Sequence, residues 1–341
     1  MIKLSIILPV YNVEKFLPAC LDSIYNQDIL EDEFEIIAVI DGSPDNSKSV
    51  LFDYSKAHKN IKVIEQENSG VSAARNNGLQ YATGKYIWFI DPDDLIVKNC
   101  FKKIYESLEE YSADVFEFLY DTCEEDYIYE NKQIDFNVDG KGKEGAIASG
   151  CLLVCRRDYL TQNNILFNEK LSYGEDYLWV LQVKYREHIN IFTNSKLYIY
   201  RQRKGSAMHQ KSREKSKKHF EDMLLLHEIY LEEQKRCIKE QLSDKIINDL
   251  EHRCLLCIEA ALWYYLKVAN SVNDAKGLLK TLKEKGLYPY KFSTWNLFGK
   301  NAVNSLKYRL ITFLFPIKTY YLFLCKIFVS RLKTKKLSEY F

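Results

Sequence analysis

The sequence predicts an α/β chain: a mainly parallel sheet with helices on both faces, followed by a C-terminal helical region. Two observations carry this. From residue 1 to about 120, short β-branched apolar runs alternate with longer amphipathic stretches, the pattern of repeated strand–helix units. From Gln210 onward the pattern is almost wholly helical, with charged residues between leucines.

Leu4 to Val10 opens the series as an apolar run suited to a strand buried on both faces. Glu35 to Ile40, Ile61 to Glu65, Tyr86 to Ile90 and Asp114 to Tyr120 repeat it, with helices expected at Val13 to Asn26, Ser47 to His58, Ser72 to Ala82 and Lys98 to Tyr111. The rhythm breaks over Phe118 to Gly145, which is acidic and then polar with Gly140, Gly142 and Gly145, so hairpins and loops are expected there. Structure resumes with a strand at Cys151 to Val154, a short helix at Arg157 to Asn163, a helix at Glu175 to Arg186, and two strands, Ile189 to Phe192 and Lys196 to Tyr200. The domain pattern is therefore 1–210, in halves 1–120 and 121–210, then a helical region 211–299 and a tail 300–341.

With 341 residues, 47% of them hydrophobic, the chain can fill a sizeable core. Lys plus Arg number 48 against 47 Asp plus Glu, and a net charge of +1 gives no case for nucleic acid as a partner. No signal-peptide pattern precedes the first strand, and the nine cysteines are an odd set, which fits a reducing cytoplasm. Cys151/Cys155 and Cys254/Cys257 lack second pairs at zinc-site spacing and are read as structural thiols.

Residues 300–341 carry nine Lys or Arg and one acidic residue, Glu339, among Leu306, Leu310, Phe313, Leu314, Ile317, Tyr321, Leu324 and Phe328. The longest uncharged run considered, Leu310 to Ile317, is too short for the roughly 20 apolar residues that span a bilayer. Two readings remain: a basic-aromatic segment peripheral on the inner face of the plasma membrane, or a helix packed on the preceding domain.

In an open parallel sheet, ligands gather at the carboxyl ends of the strands. There this chain places Pro9-Val10-Tyr11-Asn12, then Asp41-Gly42-Ser43 with Asp45, then Ala74-Arg75-Asn76 with Gly78, and then Asp91-Pro92-Asp93-Asp94. Three carboxylates within four residues repel one another and call for a compensating cation or donor network. Asp41 is either part of a turn or an acceptor for the imide N–H of uracil, with Tyr11 stacking on the base. Arg75 is either a helix-surface ion pair or a diphosphate contact. No G-x-G-x-x-G or P-loop pattern follows the first strand.

These four motifs, in this order and spacing, resemble family 2 glycosyltransferases of the GT-A fold over roughly residues 1–210. The resemblance implies inverting transfer of one sugar from a nucleotide sugar, expected to be a UDP-sugar, to a glycan acceptor in cell-surface polysaccharide synthesis. It makes 1–120 the nucleotide-sugar half and 121–210 the acceptor half. It implies Mg²⁺ or Mn²⁺ at Asp93, with Asp91 as a second ligand facing the ribose or sugar and Asp94 as a supporting carboxylate. It also implies Asp176, in Tyr173-Gly174-Glu175-Asp176, as the base. Pro9, Tyr11, Asn12, Asp41, Arg75, Arg201 and Arg203 are then expected around the donor. The basic run Tyr200 to His209 is either a closing loop, with His209 reaching metal or phosphate, or a solvated turn. Only the tail points to a lipid-linked acceptor. The Gln-x-x-Arg-Trp motif of processive members is absent from the sequence. The alternatives are a non-catalytic nucleotide-sugar- or membrane-binding subunit and, with less support, a sugar-nucleotide nucleotidyltransferase.

Overall fold

The computed structural model describes residues 1–128, 136–138, 149–203, 212–288, 321–322 and 325–326. The chain forms two compact units, Met1–Ser206 and Ala207–Phe341.

In the first unit the elements run β1 (Leu4–Val10), α1 (Leu17–Tyr25), β2 (Phe34–Asp41), α2 (Ser47–Ala57), β3 (Ile61–Gln66), α3 (Val71–Tyr81), β4 (Tyr86–Phe89) and β5 (Leu95–Ile96). They continue with α4 (Phe101–Glu110), β6 (Val115–Glu124), β7 (Leu153–Arg156), α5 (Arg157–Gln162), α6 (Glu175–Lys184) and β8 (Asn190–Gln202). The described strands make one sheet in the order β3-β2-β1-β4-β7-β6-β8-β5. Strands β3, β2, β1 and β4 are parallel. β7 is antiparallel to both β4 and β6, β6 is parallel to β8, and β5 is antiparallel to β8. The fold class is the expected one, a mixed α/β sheet with a helical C-terminal region.

Every residue of β1 is buried, as a central parallel strand covered on both faces requires. Helix α3 seats closely on this sheet because Gly78 has no side chain; a Cβ there would lie 2.5 Å from Ile7 Cγ2. Glu35 fastens the turn after α3. Its Oε1 accepts from Ser5 Oγ at 2.6 Å, from Thr83 N and Oγ1 at 2.6 and 2.8 Å, and from Gly84 N at 3.1 Å. Hydrogen bonds to a charged group are worth about 1.5–3 kcal/mol each. This latch therefore outweighs a half-exposed pair such as Lys48–Glu65, for which about 0–1 kcal/mol is typical.

Several boundaries differ from the sequence reading. α1 starts at Leu17 with Pro18 in its first turn, because Asn12 takes a left-handed φ of +53° and the chain turns before the helix begins. β6 continues to Glu124, so the expected excursion from Phe118 starts later. The two strands expected over 189–200 are one strand, β8. Its partner β6 absorbs the irregularity through register shifts on either side of Leu119. β5, two residues long, was not expected.

The second unit contains α7 (Arg213–Lys239), α8 (Asp244–Val268) and α9 (Val272–Glu284). Ser212 caps α7, and Ser271 with Asp274 forms a capping box on α9. Its core joins Ile258, Leu262, Leu266, Leu279 and Leu282 to Tyr321 and Cys325. Tyr321 is fully buried, and its hydroxyl donates to the Leu262 carbonyl at 3.0 Å. At that position, which the sequence leaves open between membrane contact and packing on the preceding domain, the ring packs on α8, where burial covers it and the backbone satisfies its polar end. The rest of 300–341, apart from Leu322 and Lys326, lies outside the described residues. Among the described residues no helix is long and apolar enough to cross a membrane. All nine cysteines are free thiols, and all but Cys123 are buried.

Burial pushes His219, His227 and His252 down from the ordinary histidine value of 6.5, and the Cys254 carbonyl only partly offsets this at His227. A folded-state value below the unfolded one means that the unfolded chain takes up protons first as the pH falls below 6.5. The helical unit is therefore expected to lose stability on acidification through this range. Chemical denaturation of the whole chain, followed by far-ultraviolet circular dichroism, should show an earlier helical transition at about pH 5.5 than at about pH 7.5. An unchanged midpoint would refute the linkage.

Candidate active site

The loops after β1 and β2 are tied together before they meet any ligand. Asn12 N donates to Ser43 Oγ at 2.8 Å, Ser43 Oγ to Asp45 Oδ1 at 2.6 Å, and Glu14 N to Asp45 Oδ2 at 2.8 Å. Asp45 also accepts from Ser47 N at 3.1 Å, at the entry to α2. Tyr11 stands 47% exposed above this frame, its ring free to carry a flat base. Pro9 was expected near the donor, but it is buried inside β1 opposite Val39, and its ring offers nothing polar to the crevice.

Asp41, at the end of β2, is buried and largely committed. Oδ1 accepts from Gln66 Nε2 at 2.9 Å and Ser69 N at 2.7 Å, and Oδ2 from Gly70 N at 2.9 Å. Its visible work is to shape the loop entering α3. One lone pair on Oδ2 remains for a further donor.

The turn after β4 holds the three carboxylates, and each meets a different partner. Asp94 is 1% exposed; its Oδ2 accepts from the Tyr198 hydroxyl at 2.7 Å and its Oδ1 from Arg201 N at 2.8 Å. The same hydroxyl accepts from Asp91 N at 3.1 Å. Asp93 pairs with Arg203 at 2.6 Å. Asp91 pairs with Arg75 Nη2 at 2.8 Å, and Arg75 Nη1 reaches Asp176 at the start of α6 at 2.7 Å. The charge that the acidic turn demanded is supplied by two guanidinium groups.

Burial raises the Asp93 carboxyl and the charge of Asp91 adds to it, with Arg203 opposing. Asp94 is raised well above the usual range by burial and then by Asp93 and Asp91. Asp176 is raised by burial and by Asp91, against Arg75. Its neighbour Glu175 is pushed up to about 7 by burial and by the charge of Asp176. Burial is thus the main reason that both adjacent carboxyls at this helix start lie above the usual carboxylate range.

Two arginines stand elsewhere than expected. Arg75, read as a surface pair or a diphosphate contact, is 3% exposed and lies between two carboxylates. Arg201, expected at the donor, is also 3% exposed and is used to brace the acidic turn. Its Nε donates to the Asp93 carbonyl, and its Nη1 to the carbonyls of Glu125 and Tyr127, all at 3.0 Å. Arg203 remains at the crevice; both guanidinium groups lie over the Phe16 ring, at 5.6 and 5.5 Å. His209 falls outside the described residues. Sequence reasoning missed Tyr198, Phe16, Phe167 and Ser149, whose hydroxyl lies 3.5 Å from Asp176 Oδ2. These are single residues without a motif, brought in from remote parts of the chain.

Asp91 and Asp93 are hard oxygen donors of the kind Mg²⁺ or Mn²⁺ prefers. They fit such an ion: the arginine pairs engage Asp91 Oδ1 and Asp93 Oδ2, and each carboxylate keeps a second oxygen and partial exposure, 31% and 18%. Among the described residues no cluster of three or more His, Cys, Asp or Glu side chains is arranged to hold a metal without help. Oxygens from a bound diphosphate and water would complete the shell.

A nucleotide-binding type of sheet, an acidic turn at its carboxyl edge and a carboxylate-bearing helix across the crevice define the GT-A class of fold. The solved structure of S. aureus TarS 1–349 in complex with UDP-GlcNAc shares that fold, with a TM-score of 0.61 at 18% identity, over 98% of this chain and 92% of that one. Residues 5–162 match the model of glycosyl transferase family 2. The chain is similar to the uncharacterized glycosyltransferase EpsJ of Bacillus subtilis, 33% identical over 215 residues, covering 59% of this chain and 62% of EpsJ. It is also similar to the minor teichoic acid biosynthesis protein GgaB of the same organism, 30% identical over 230 residues, covering 65% of this chain and 25% of GgaB. The chain thus spans less than two thirds of the length of either relative.

Proposed function

We propose that the first unit transfers one sugar, with inversion, from a UDP-sugar to a hydroxyl of a cell-surface glycan. The observation that carries this reading is the bridge Asp91–Arg75–Asp176, which holds a donor-side carboxylate and a second carboxylate at fixed spacing across one crevice. The exposed Tyr11 ring and the free lone pair of Asp41 favour a uracil base. The UDP-GlcNAc bound by TarS and the polymer named for GgaB agree with a UDP donor and a surface-polymer acceptor.

In this reading Asp176 accepts the proton of the acceptor hydroxyl as its oxygen attacks the anomeric carbon from the face opposite the diphosphate. The new C–O bond forms as the bond to the diphosphate breaks, and UDP leaves with the electron pair, so the anomeric configuration inverts. Asp93 and Asp91 would hold Mg²⁺ or Mn²⁺, which when bound offsets the charge on the departing diphosphate. Arg201 and Tyr198 keep the acidic turn in shape throughout.

A screen of UDP- and GDP-sugars for slow hydrolysis without acceptor tests the reading. Consumption of one or more UDP-sugars, abolished by EDTA, is the expected result. Binding without any turnover would favour a non-catalytic nucleotide-sugar-binding subunit, and neither binding nor turnover would sink the reading altogether.

A further inference from the structure

We infer that Arg75 is a positioning residue, which fixes Asp176 relative to the acidic turn, and that it does not bind the diphosphate. The inference rests on the transferase reading above and assigns a part within it. Arg75 Nη1 donates to Asp176 at 2.7 Å and Nη2 to Asp91 at 2.8 Å, and the side chain is 3% exposed. Its third nitrogen, Nε, is buried without a partner. A guanidinium so enclosed presents almost no N–H to a ligand in the crevice.

A second brace joins the same two helices. Asn76, the next residue on α3, exchanges two hydrogen bonds of 2.9 Å with the backbone of Phe167. The Phe167 ring stacks on Trp179 of α6, with centroids 5.0 Å apart and planes 3° apart, and Phe89 meets both rings edge-on. Asp176 and Trp179 are one turn apart on α6, so α3 grips one face of α6 twice: by charge at Arg75 and by stacking through Asn76 and Phe167. The two grips are themselves joined, because the Arg75 guanidinium lies 4.8 Å over the Phe167 ring. An arginine fork holds two carboxylates from one rigid plane, whereas lysine's ammonium is a compact charge on a flexible stem that cannot keep the same spacing between them.

The groups facing Asp176 are Arg75 on α3, Asp91 on the acidic turn, the Ser149 hydroxyl, the buried Cys151 thiol and Glu175 on its own helix. Among these described groups Arg75 is the cation. Arg75→Lys should lower kcat for transfer by about 10²-fold, the scale of a misplacement near 1 Å, while UDP affinity measured by calorimetry stays within about threefold. The acid limb of the kcat profile should move to higher pH, because a carboxylate freed from the guanidinium takes up its proton more readily. A tenfold or larger loss of UDP affinity with kcat preserved would make Arg75 a diphosphate ligand and overturn the inference. If Arg75→Lys does not fold, Asn76→Ser releases Phe167, and with it the Glu169 carboxylate that Asn76 Nδ2 reaches at 2.9 Å, while leaving both Arg75 ion pairs in place. Loss of kcat at constant UDP affinity supports the double grip, and unchanged kcat refutes it. A wild-type chain that binds no UDP would instead bring down the transferase reading itself.

Discussion

Replacing Asp176 by asparagine is expected to lower the rate of sugar transfer by at least ~10²-fold, the usual contribution of a positioned base. Asparagine keeps the shape and can still meet Arg75, but it cannot accept the proton that the acceptor hydroxyl must lose. UDP binding should survive, since Asp176 touches Arg75 and Ser149 and none of the loops around Tyr11 and Asp41. The residual rate should also lose the acid limb that the wild-type carboxyl imposes, because no group of that kind is left to titrate at this position. Single-turnover rates and UDP calorimetry separate the two roles. If donor affinity and transfer fall together, Asp176 is a binding residue and the base lies elsewhere, with Glu175 the next candidate because its carboxyl titrates at about 7.

Asp93→Asn should remove most activity with the fold intact, and two opposing effects decide the second half of that statement. Arg203 loses its partner, but with its side chain 19% exposed it can turn toward water. Against this small loss, Asp94 is relieved of the charge that contributes to raising its carboxyl. The thermal midpoint should therefore stay level or rise slightly. Activity should fall by about 10²-fold or more, since charge stabilisation at a leaving phosphate is worth several kcal/mol and each ~1.4 kcal/mol is a factor of ten. Titration with Mn²⁺ should show weaker binding in the variant. Full wild-type turnover in EDTA would remove the metal assignment, and a variant that melts early would show that Asp93 serves the fold.

The central strands were legible because a strand covered on both faces has to be apolar throughout, as β1 and β2 are. β5 carries too few residues to show a period, and β8 was split because Thr193-Asn194-Ser195 reads as a polar break although the strand runs through it. At the site, the residue types were legible and their partners were not. Arg75 was open to reading as a surface ion pair or a diphosphate contact, and Arg201 as a donor contact, since a sequence shows a charge but not the carboxylate or carbonyl that will consume it. Those partners are Asp176, a hundred residues away in the chain, and the backbone at Glu125 and Tyr127. Tyr198 sits in an ordinary strand sequence, and only the approach of β8 to β5 turns its hydroxyl into the link between Asp91 and Asp94.

The turn 91–94 leaves β4, in the interior of the sheet, and delivers the chain to β5, which among the described strands pairs with β8 alone. Both ends are thus anchored in the same sheet. Pro92 removes one backbone freedom, and the other three residues are committed to Arg75, Arg203, Tyr198 and Arg201. Such a segment has no slack. Adding or deleting one residue would rotate the carboxylates out of phase with all of these partners at once, whereas exchanging one side chain disturbs one partner. The shape of the turn therefore tolerates an exchanged side chain better than an inserted or deleted residue, and any drift in loop length has to be accommodated elsewhere in the unit.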